Sequence, residues 1–369
     1  MIVTISKDEL YKRLGDIQNI ADKKTTIPIL SNFLLEVSRE KSTVYATDLE
    51  MAIREPIEIA EIEKSGVVCM PAKKLFEIAR EVAGDIHIDG EDVNWMKMKS
   101  GKSSYRIAGL NPDEYPHWPS LEEKVGFAIE PEKLIDMLDR TIYCAGENDP
   151  RYALNGVLFH VLGRQKKIVL AGTDGHRLSV VYSDMEMDTD VEEIKAILPR
   201  KAVMELRRLL SGQQGAVRFE IAKNHIRFLL GDKEFLTKLI EGTYPNYEQV
   251  IPVNNDKSVL IDREELIKTL RRVSVIGREK SRVVRVELEQ GQMNVFATDP
   301  EMGEAQDGLK VEFEGEAISL GFNSRYVLDA VSSMKSQNVV MELLDTLTPT
   351  LLTEEGNKDY KCVLMPMRI

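Results

Sequence analysis

The chain has few of the residues from which disulfide frameworks, metal sites and membrane spans are built. Its 369 residues include two tryptophans and three cysteines, Cys69, Cys144 and Cys362. The cysteines lie far apart without metal-ligand spacing, and a sparse, odd set of them is typical of a reducing cytoplasm. No apolar run approaches the roughly 18 residues that a membrane-spanning helix needs. We therefore expect a globular cytoplasmic protein that uses no metal and no other cofactor.

Catalytic signatures are equally scarce, since no metalloprotease, Rossmann or nucleophile-elbow pattern occurs. Gly101, Lys102 and Ser103 resemble the end of a phosphate loop, but Met96 stands where that loop needs a glycine. His176 follows an aspartate closely, although a turn after a strand explains that spacing as well. A phosphate-handling enzyme that uses Gly101 to Ser103 or His176 is the alternative function left open at this point.

Acidic residues outnumber basic ones, 61 to 49, and the net charge is −12. Such a balance argues against a protein that binds nucleic acid over its whole surface. The six predicted helices nevertheless carry more basic than acidic residues, so the acidic excess falls on strands and loops. This distribution favours one basic helical face that meets a polyanion. The alternative is that solvated helices simply carry Lys and Arg.

The most informative feature that is present is a threefold repeat. Thr-Asp follows a strand-like segment at residues 47–48, 173–174 and 298–299. These sites lie about 125 residues apart, which is the size of a whole domain. We therefore predict that the chain is one domain repeated three times.

Other features keep the same order in each third. A strand and an amphipathic helix open each copy, with the helices predicted at residues 7–20, 131–144 and 263–275. Asp8, Pro131 and Asp262 stand where these helices are expected to begin. A second helix is predicted at residues 71–80, 199–208 and 323–332, and closing strands reach a proline at positions 116, 245 and 366. Two helices on a sheet predict a layered α+β fold, with domains at residues 1–122, 126–252 and 253–369.

Three segments are more distinctive than the repeat itself: residues 172–178 (Gly-Thr-Asp-Gly-His-Arg-Leu), 244–247 (Tyr-Pro-Asn-Tyr) and 363–369 (Val-Leu-Met-Pro-Met-Arg-Ile). Residues 28–30, 47–50, 151–156 and 321–323 fit the same pattern. Together they resemble the bacterial DNA polymerase III beta subunit family, the sliding clamps, over the full chain. The resemblance implies a head-to-tail homodimer, a ring of six domains around double-stranded DNA without catalytic activity. It also implies as partners the replicative DNA polymerase, a clamp loader, and other polymerases and repair factors.

In the family, a pocket between the second and third domains binds partner peptides. The matching positions here are Leu154, Thr173, Gly175, His176, Arg177, Leu178, Pro245, Val250, Asn323, Tyr326, Val363, Leu364, Met365, Pro366, Met367 and Arg368. Leu, Val, Pro and flexible Met would form an adaptable apolar slot for Leu and Phe side chains of several partners. The alternative is that Met365 and Met367 belong to an ordinary core strand. Glu248 and Gln249 stand where some members carry basic residues, and Pro349 departs near the last hairpin.

The resemblance also implies a contact between the first domain of one protomer and the third domain of the next. Its matching residues are Tyr105, Ile107, Val275 and Ile276. The distribution of charge also places Lys74 in the basic edge of the first domain, and Glu301 and Glu304 in the acidic edge of the third. A basic edge that meets an acidic edge on unlike surfaces closes into a ring or grows into a filament. For contact with DNA, the matching positions and basic helix starts are Lys24, Lys73, Arg151, Tyr152, Arg200 and Lys201.

Overall fold

The computed structural model describes residues 1–21, 26–92, 94–122, 124–186, 191–276 and 282–368. The chain forms two compact units, one of Met1–Pro131 with Glu205–Leu239 and the other of Glu132–Met204 with Ile240–Ile369. The middle copy of the repeat therefore contributes to both units.

Six α-helices lie in the described ranges. They are α1 (Lys7–Ile17), α2 (Ala72–Glu81), α3 (Pro131–Thr141), α4 (Arg200–Leu210), α5 (Arg263–Val273) and α6 (Ser324–Ser333). The first helix of each copy ends about three residues earlier than predicted. After α3 the chain tightens into a 3-10 helix at Ile142–Cys144, and the apolar spacing continues through it, which explains the overestimate.

The helix starts follow capping chemistry. Ser6, not Asp8, caps α1, because its hydroxyl accepts a hydrogen bond from the backbone N–H of Glu9 at 3.2 Å. Asp262 caps α5 as predicted by accepting from the N–H of Glu265 at 2.9 Å. Asp8 lies in the first turn of α1, where its negative charge interacts favourably with the positive end of the helix dipole.

The strands of the first unit form two antiparallel sheets. In chain order they are β1 (Ile2–Ile5), β2 (Asn32–Val37), β3 (Ser42–Thr47), β4 (Met51–Pro56), β5 (Glu61–Lys64), β6 (Gly66–Pro71), β7 (Ile86–Asp89), β8 (Trp95–Ser100), β9 (Ser103–Ala108) and β10 (Val125–Ile129). β15 (Val217–Ile221), β16 (His225–Leu230) and β17 (Lys233–Lys238) complete the unit, and four strands of the other unit lie between β10 and β15 along the chain. The strand orders are β5-β1-β7-β8-β9 and β10-β15-β16-β17-β4-β3-β2-β6.

The second unit also contains two antiparallel sheets. Its strands from the middle copy are β11 (Gly156–Leu162), β12 (Lys167–Thr173), β13 (Arg177–Asp184) and β14 (Glu193–Pro199). Its strands from the third copy are β18 (Lys257–Asp262), β19 (Val283–Glu289), β20 (Gln292–Asp299), β21 (Gly303–Lys310), β22 (Ile318–Asn323), β23 (Asn338–Leu343), β24 (Thr350–Glu354) and β25 (Asn357–Leu364). The orders are β14-β11-β12-β13-β25-β24-β23-β18 and β21-β20-β19-β22.

Consecutive copies are joined by strand pairing inside each unit. β4 of the first copy pairs with β17 of the second, with Ile53 opposite Phe235. β13 of the second copy pairs with β25 of the third, with Leu178 opposite Val363. The two eight-stranded sheets therefore each contain strands from two copies.

The three Thr-Asp sites form the same kind of turn, which confirms the predicted repeat. In each turn the aspartate Oδ1 accepts from two backbone N–H groups: Asp48 from Glu50 and Met51, Asp174 from His176 and Arg177, and Asp299 from Glu301 and Met302. The carboxylate fixes a tight turn between two antiparallel strands. This shared role explains why Thr-Asp recurs in all three copies.

The segment from Gly101 to Ser103 is a hairpin turn and not a phosphate loop. Ser100 pairs with Ser103 across β8 and β9, and Gly101 has φ of +55°. A glycine adopts this left-handed conformation without the penalty of a side chain. The hairpin accounts for the glycine that had suggested nucleotide chemistry.

Candidate functional site

A cavity of about 170 Å³ lies in the second unit, beside the turn between β12 and β13. Apolar side chains form most of its wall. It is lined by Arg151, Leu154, Thr173, Gly175, Arg177, Leu178, Pro245, Tyr247, Val250, Val363 and Met365. Beneath it lies a buried cluster that includes Leu178, Tyr244 and Val363. The pairing of β13 with β25 thus brings the middle and third copies together at one apolar pocket.

Gly175 is well suited to the shape of the turn at this pocket. Its φ is +86°, and a Cβ atom added there would lie 2.8 Å from Nη1 of Arg151. A larger residue would strain the backbone and displace the arginine. The first copy has Leu49 in this place, also at positive φ, so only the middle copy relieves the strain with glycine.

Arg177 connects the pocket turn to its surroundings. Its Nε donates to Asp174 at 3.0 Å and its Nη1 donates to Asp329 at 2.7 Å. Its Nη2 donates to the carbonyl oxygen of Tyr143 at 2.6 Å, and the guanidinium lies 4.3 Å above the ring of Tyr326. A planar guanidinium satisfies these partners together, which a lysine cannot do. Arg177 therefore links the pocket turn to Tyr143 and to α6.

Arg151 lies at the more exposed rim of the pocket. It donates to both carboxylate oxygens of Asp149, at 2.9 and 2.8 Å, and to the carbonyl oxygen of Asp174. These hydrogen bonds lower the pKa of Asp149 to about 2. Both arginines of the pocket are thus paired with carboxylates, and the lining presents mainly apolar surface to a ligand.

Tyr247 forms another part of the wall and is 3% exposed. It begins the 3-10 helix Tyr247–Val250, which Asn246 caps by accepting from the N–H of Glu248. Behind the wall, the Tyr247 hydroxyl lies 2.8 Å from Nδ1 of His160. Burial raises the pKa of the Tyr247 phenol, which stays protonated.

Nine of the sixteen residues expected at the peptide site line the cavity. Seven do not line it: His176, Asn323, Tyr326, Leu364, Pro366, Met367 and Arg368. Some of these act on its surroundings. The carbonyl oxygen of His176 accepts from the N–H of Met365 at 3.0 Å, Asn323 caps α6, and Leu364 is buried in β25.

Two lining residues were not assigned to the pocket from the sequence. The sequence predicts that Arg151 contacts DNA, and it indicates Tyr247 only as part of the Tyr-Pro-Asn-Tyr segment. Tyr247 could have been found from that segment, since Pro245 of the same segment was already expected at the pocket. Arg151 had a similar signal, because it begins the segment 151–156 that also contains the pocket residue Leu154.

The residues expected to contact DNA occupy different environments. Lys24 lies outside the described residues. Lys73 and Lys201 are exposed near the starts of α2 and α4, and Tyr152 is 77% exposed. Arg200 is partly committed to its own unit, since its Nη1 donates to the carbonyl oxygens of Ile142 and Ala145 at 2.7 and 2.8 Å.

The residues expected at a subunit contact lie near two sheet edges and a helix end. Tyr105 and Ile107 belong to the edge strand β9, although Ile107 is only 8% exposed. Glu304 lies on the edge strand β21, and Glu301 is exposed just before it. Val275, just after α5, is 80% exposed, and its neighbour Ile276 is half-buried. Lys74 is exposed on α2 and pairs with Glu77.

In the described part of the chain, no group of three or more His, Cys, Asp or Glu side chains is arranged to hold a metal ion. No α-helix there is both long and apolar enough to cross a membrane.

Comparisons with known proteins agree with this architecture. The chain matches the family models for all three domains of the DNA polymerase III beta subunit: the N-terminal domain at residues 1–119, the central domain at 128–246 and the C-terminal domain at 248–368. Beta sliding clamps of Pseudomonas putida and Escherichia coli K12 are 33% and 32% identical, and each comparison covers 100% of both chains. A sliding clamp from Bartonella birtlesii, solved bound to griselimycin, has a TM-score of 0.95, 32% identity and full coverage of both chains.

Three repeated α+β domains define a protein of the clamp class, which binds other molecules and catalyses no reaction. The chain belongs to the DNA polymerase III beta subunit family, the bacterial beta sliding clamps. It therefore acts as a DNA sliding clamp and processivity factor in DNA replication, and the phosphate-handling enzyme left open by the sequence is not supported.

Proposed function

We propose that the pocket lined by Leu178, Val363 and Met365 is the site at which this clamp binds its protein partners. The observation that carries the proposal is the composition of the wall: aliphatic residues and Met surround two arginines whose charges are already paired. Such a slot suits Leu and Phe side chains of an extended peptide. The replicative polymerase, the clamp loader, and other polymerases and repair factors would compete for it.

A short fluorescein-labelled synthetic peptide ending in Leu-Phe, called the probe peptide below, tests this proposal. We expect it to bind the full chain, and unlabelled griselimycin, which is bound in a relative, to displace it. Met365→Glu should weaken binding at least about tenfold, because a carboxylate would be buried against an apolar ligand. Met204→Glu is the matched control, since Met204 is 59% exposed and does not line the pocket. Equal loss in both variants would contradict the proposal.

We also propose a head-to-tail homodimer in which β21 of one protomer pairs with β9 of the next. β4 pairs with β17 and β13 pairs with β25, so each junction between copies uses equivalent strands of the repeat. β21 and β9 are the remaining members of these two series, and both are edge strands. An exposed edge favours pairing with another strand. Lys102 and Arg106 on the β9 side and Glu304 on β21 supply complementary charge.

The assembled clamp would close around duplex DNA and slide without reading its sequence. We propose three domains, at residues 1–122, 126–252 and 253–369. The proposed contacts with DNA lie in the first two of them and are Lys24, Lys73, Arg151, Tyr152, Arg200 and Lys201. We propose that the protein acts in the cytoplasm, and the free, buried thiols of its three cysteines are consistent with that compartment.

Retention on nicked circular DNA after loading tests the topological proposal. We expect the protein to stay on the circle and to leave when a nuclease linearises it, because no end is available before cleavage. Mass in solution should be about twice 41.8 kDa. Equal retention on circular and linear DNA would contradict encirclement, and it would leave the peptide-binding result unaffected.

A further inference from the structure

Behind the pocket wall, four side chains form a continuous hydrogen-bonded chain from the surface to Tyr247. Nζ of Lys195 lies 2.7 Å from Oε1 of Glu193, and the same oxygen lies 2.7 Å from Nε2 of His160. Nδ1 of His160 lies 2.8 Å from the Tyr247 hydroxyl. The two rings meet edge-on at 78° with their centroids 5.9 Å apart. His160 is 3% exposed, whereas nearly half of the Glu193 side chain is exposed.

The carboxylate of Glu193 determines which nitrogen of neutral His160 carries the proton. A carboxylate only accepts hydrogen bonds, so Nε2 must donate to Glu193. Nδ1 is then an acceptor, and the Tyr247 hydroxyl must donate to it. The hydroxyl hydrogen therefore points to His160 and away from the cavity that the tyrosine lines.

We propose that His160 is a positioning residue of the peptide pocket, which holds the Tyr247 ring in the wall and keeps its hydroxyl hydrogen turned away from the ligand. The proposal rests on the peptide-binding role proposed above. It implies that this wall accepts apolar side chains, because the hydroxyl is not free to donate to a polar group of the partner. His160 itself does not line the cavity and acts through Tyr247.

Protonation of His160 would reverse this arrangement. With both ring nitrogens protonated, Nδ1 would donate to the Tyr247 oxygen, and the hydroxyl hydrogen would lose its acceptor. In a buried wall that hydrogen must turn to a new partner, at the expense of apolar contact. We therefore expect acid to weaken binding of an apolar peptide.

The groups around His160 have opposing effects on its pKa. Burial is the main influence and lowers its pKa, Lys195 adds to the lowering, and Glu193 and Glu248 raise the pKa. The result is a lowered pKa, so the neutral form is favoured at neutral pH and the change is expected below the ordinary histidine value of about 6.5. Glu193 and Lys195 are on β14, and Glu248 is on the 3-10 helix after Tyr247.

The experiment measures the affinity of the probe peptide for the full-length protein between about pH 8 and about pH 5, a range that spans histidine titration. The variants are His160→Gln, Tyr247→Phe and their combination. His225→Gln is the matched control, because His225 is half-buried on β16 in the other unit and also has a lowered pKa. His176 is the same residue in the unmodified protein and in all four variants, so its contribution to binding is common to them.

We expect acidification to weaken binding to the unmodified protein by about three- to tenfold, the value of one buried hydrogen bond. His160→Gln and Tyr247→Phe should each reduce that acid weakening, and the double variant should show no further reduction because the two residues act as one unit. His225→Gln should keep the full acid effect. A purely structural role for His160 would lower affinity at every pH without changing the profile.

An unchanged pH profile in Tyr247→Phe would overturn the inference, even if His160→Gln does not fold. An equal change in His225→Gln would also overturn it. If the unmodified protein binds the probe peptide but shows no acid effect beyond that of Tyr247→Phe, the positioning role fails and the peptide site stands. If no binding occurs at any pH, both proposals fail.

Discussion

Nη1 of Arg140 donates a hydrogen bond to Oε2 of Glu354 at 3.0 Å, and both side chains are more than nine-tenths buried. Arg140 comes from α3 of the middle copy, and Glu354 ends β24 of the third copy. Glu354 also accepts from the N–H of Lys335 and from Nδ2 of Asn357. This buried ion pair ties two copies of the repeat together within the second unit.

Glu354→Gln should lower the free energy of unfolding by about 3 kcal/mol, because it leaves a buried guanidinium with one carboxylate fewer. Urea unfolding followed by circular dichroism measures the change. Glu355→Gln is the matched control, since Glu355 is exposed, makes no ion pair with Arg140, and accepts a hydrogen bond from Nδ2 of Asn338 instead. A loss in Glu355→Gln as large as that in Glu354→Gln would show that burial of the pair is not the cause.

Replacement of the buried Glu55 should change the free energy of unfolding in the opposite direction from replacement of Glu354. Burial, and then the charge of Asp16, raise its pKa to about 7, although Arg13 and Lys233 lie within 4 Å. A raised carboxyl pKa means that the folded state favours the protonated form, so this group's contribution improves as pH falls towards 7 and below. At higher pH the ionised carboxylate in the buried site lowers stability.

Glu55→Gln should therefore raise the free energy of unfolding by about 1 to 2 kcal/mol at pH about 8.5, and by less at pH about 6. The two cations keep other carboxylates, since Arg13 also pairs with Glu9 and Lys233 with Asp16. Urea unfolding at both pH values measures the difference. Destabilisation of equal size at both pH values would mean that the ion pairs outweigh the cost of burying the charge.

Periodicity in the sequence could predict the repeat and the helices because each is a local pattern. Thr-Asp marks a turn whose hydrogen bonds stay within four residues, so all three sites were visible before the structure. The buried pair Arg140–Glu354 could not be predicted, because its members are far apart in sequence and charged residues are normally expected at the surface. The His160–Tyr247 contact is equally non-local, joining β11 to a 3-10 helix.

Val275→Asp should convert the dimer into folded monomers with a mass of about 41.8 kDa, if the surface after α5 faces the next protomer. Val275 is 80% exposed, so a charge there should not unfold its own domain, but it would be costly once buried at an interface. Sedimentation equilibrium measures the mass. Val253→Asp is the matched control, since Val253 is 88% exposed and is not expected at the contact. A dimer that survives Val275→Asp would place the interface elsewhere.

Arg177→Lys should weaken binding of the probe peptide by about tenfold, or roughly 1.4 kcal/mol. Lysine cannot reach Asp174, Asp329 and the Tyr143 carbonyl together, and it loses the flat stacking on Tyr326. Fluorescence anisotropy measures the affinity, and Arg164→Lys, at an exposed arginine outside the pocket, is the control. Unchanged affinity would show that charge alone, rather than the fork of hydrogen bonds, supports the wall.

Lys73→Ala and Arg200→Ala should separate DNA contact from structural support. Lys73 is exposed, so its loss should reduce the salt dependence of binding to a short linear duplex by about one counterion. Arg200 donates to two backbone carbonyls, and its loss should lower the free energy of unfolding by about 1 to 3 kcal/mol. Lys223→Ala, at an exposed hairpin turn, is the control for both measurements. If Lys73→Ala changes the salt dependence no more than Lys223→Ala does, the start of α2 does not face DNA. If Arg200→Ala is as stable as the unmodified protein, the Arg200 guanidinium does not support the fold, and a role in binding DNA is favoured.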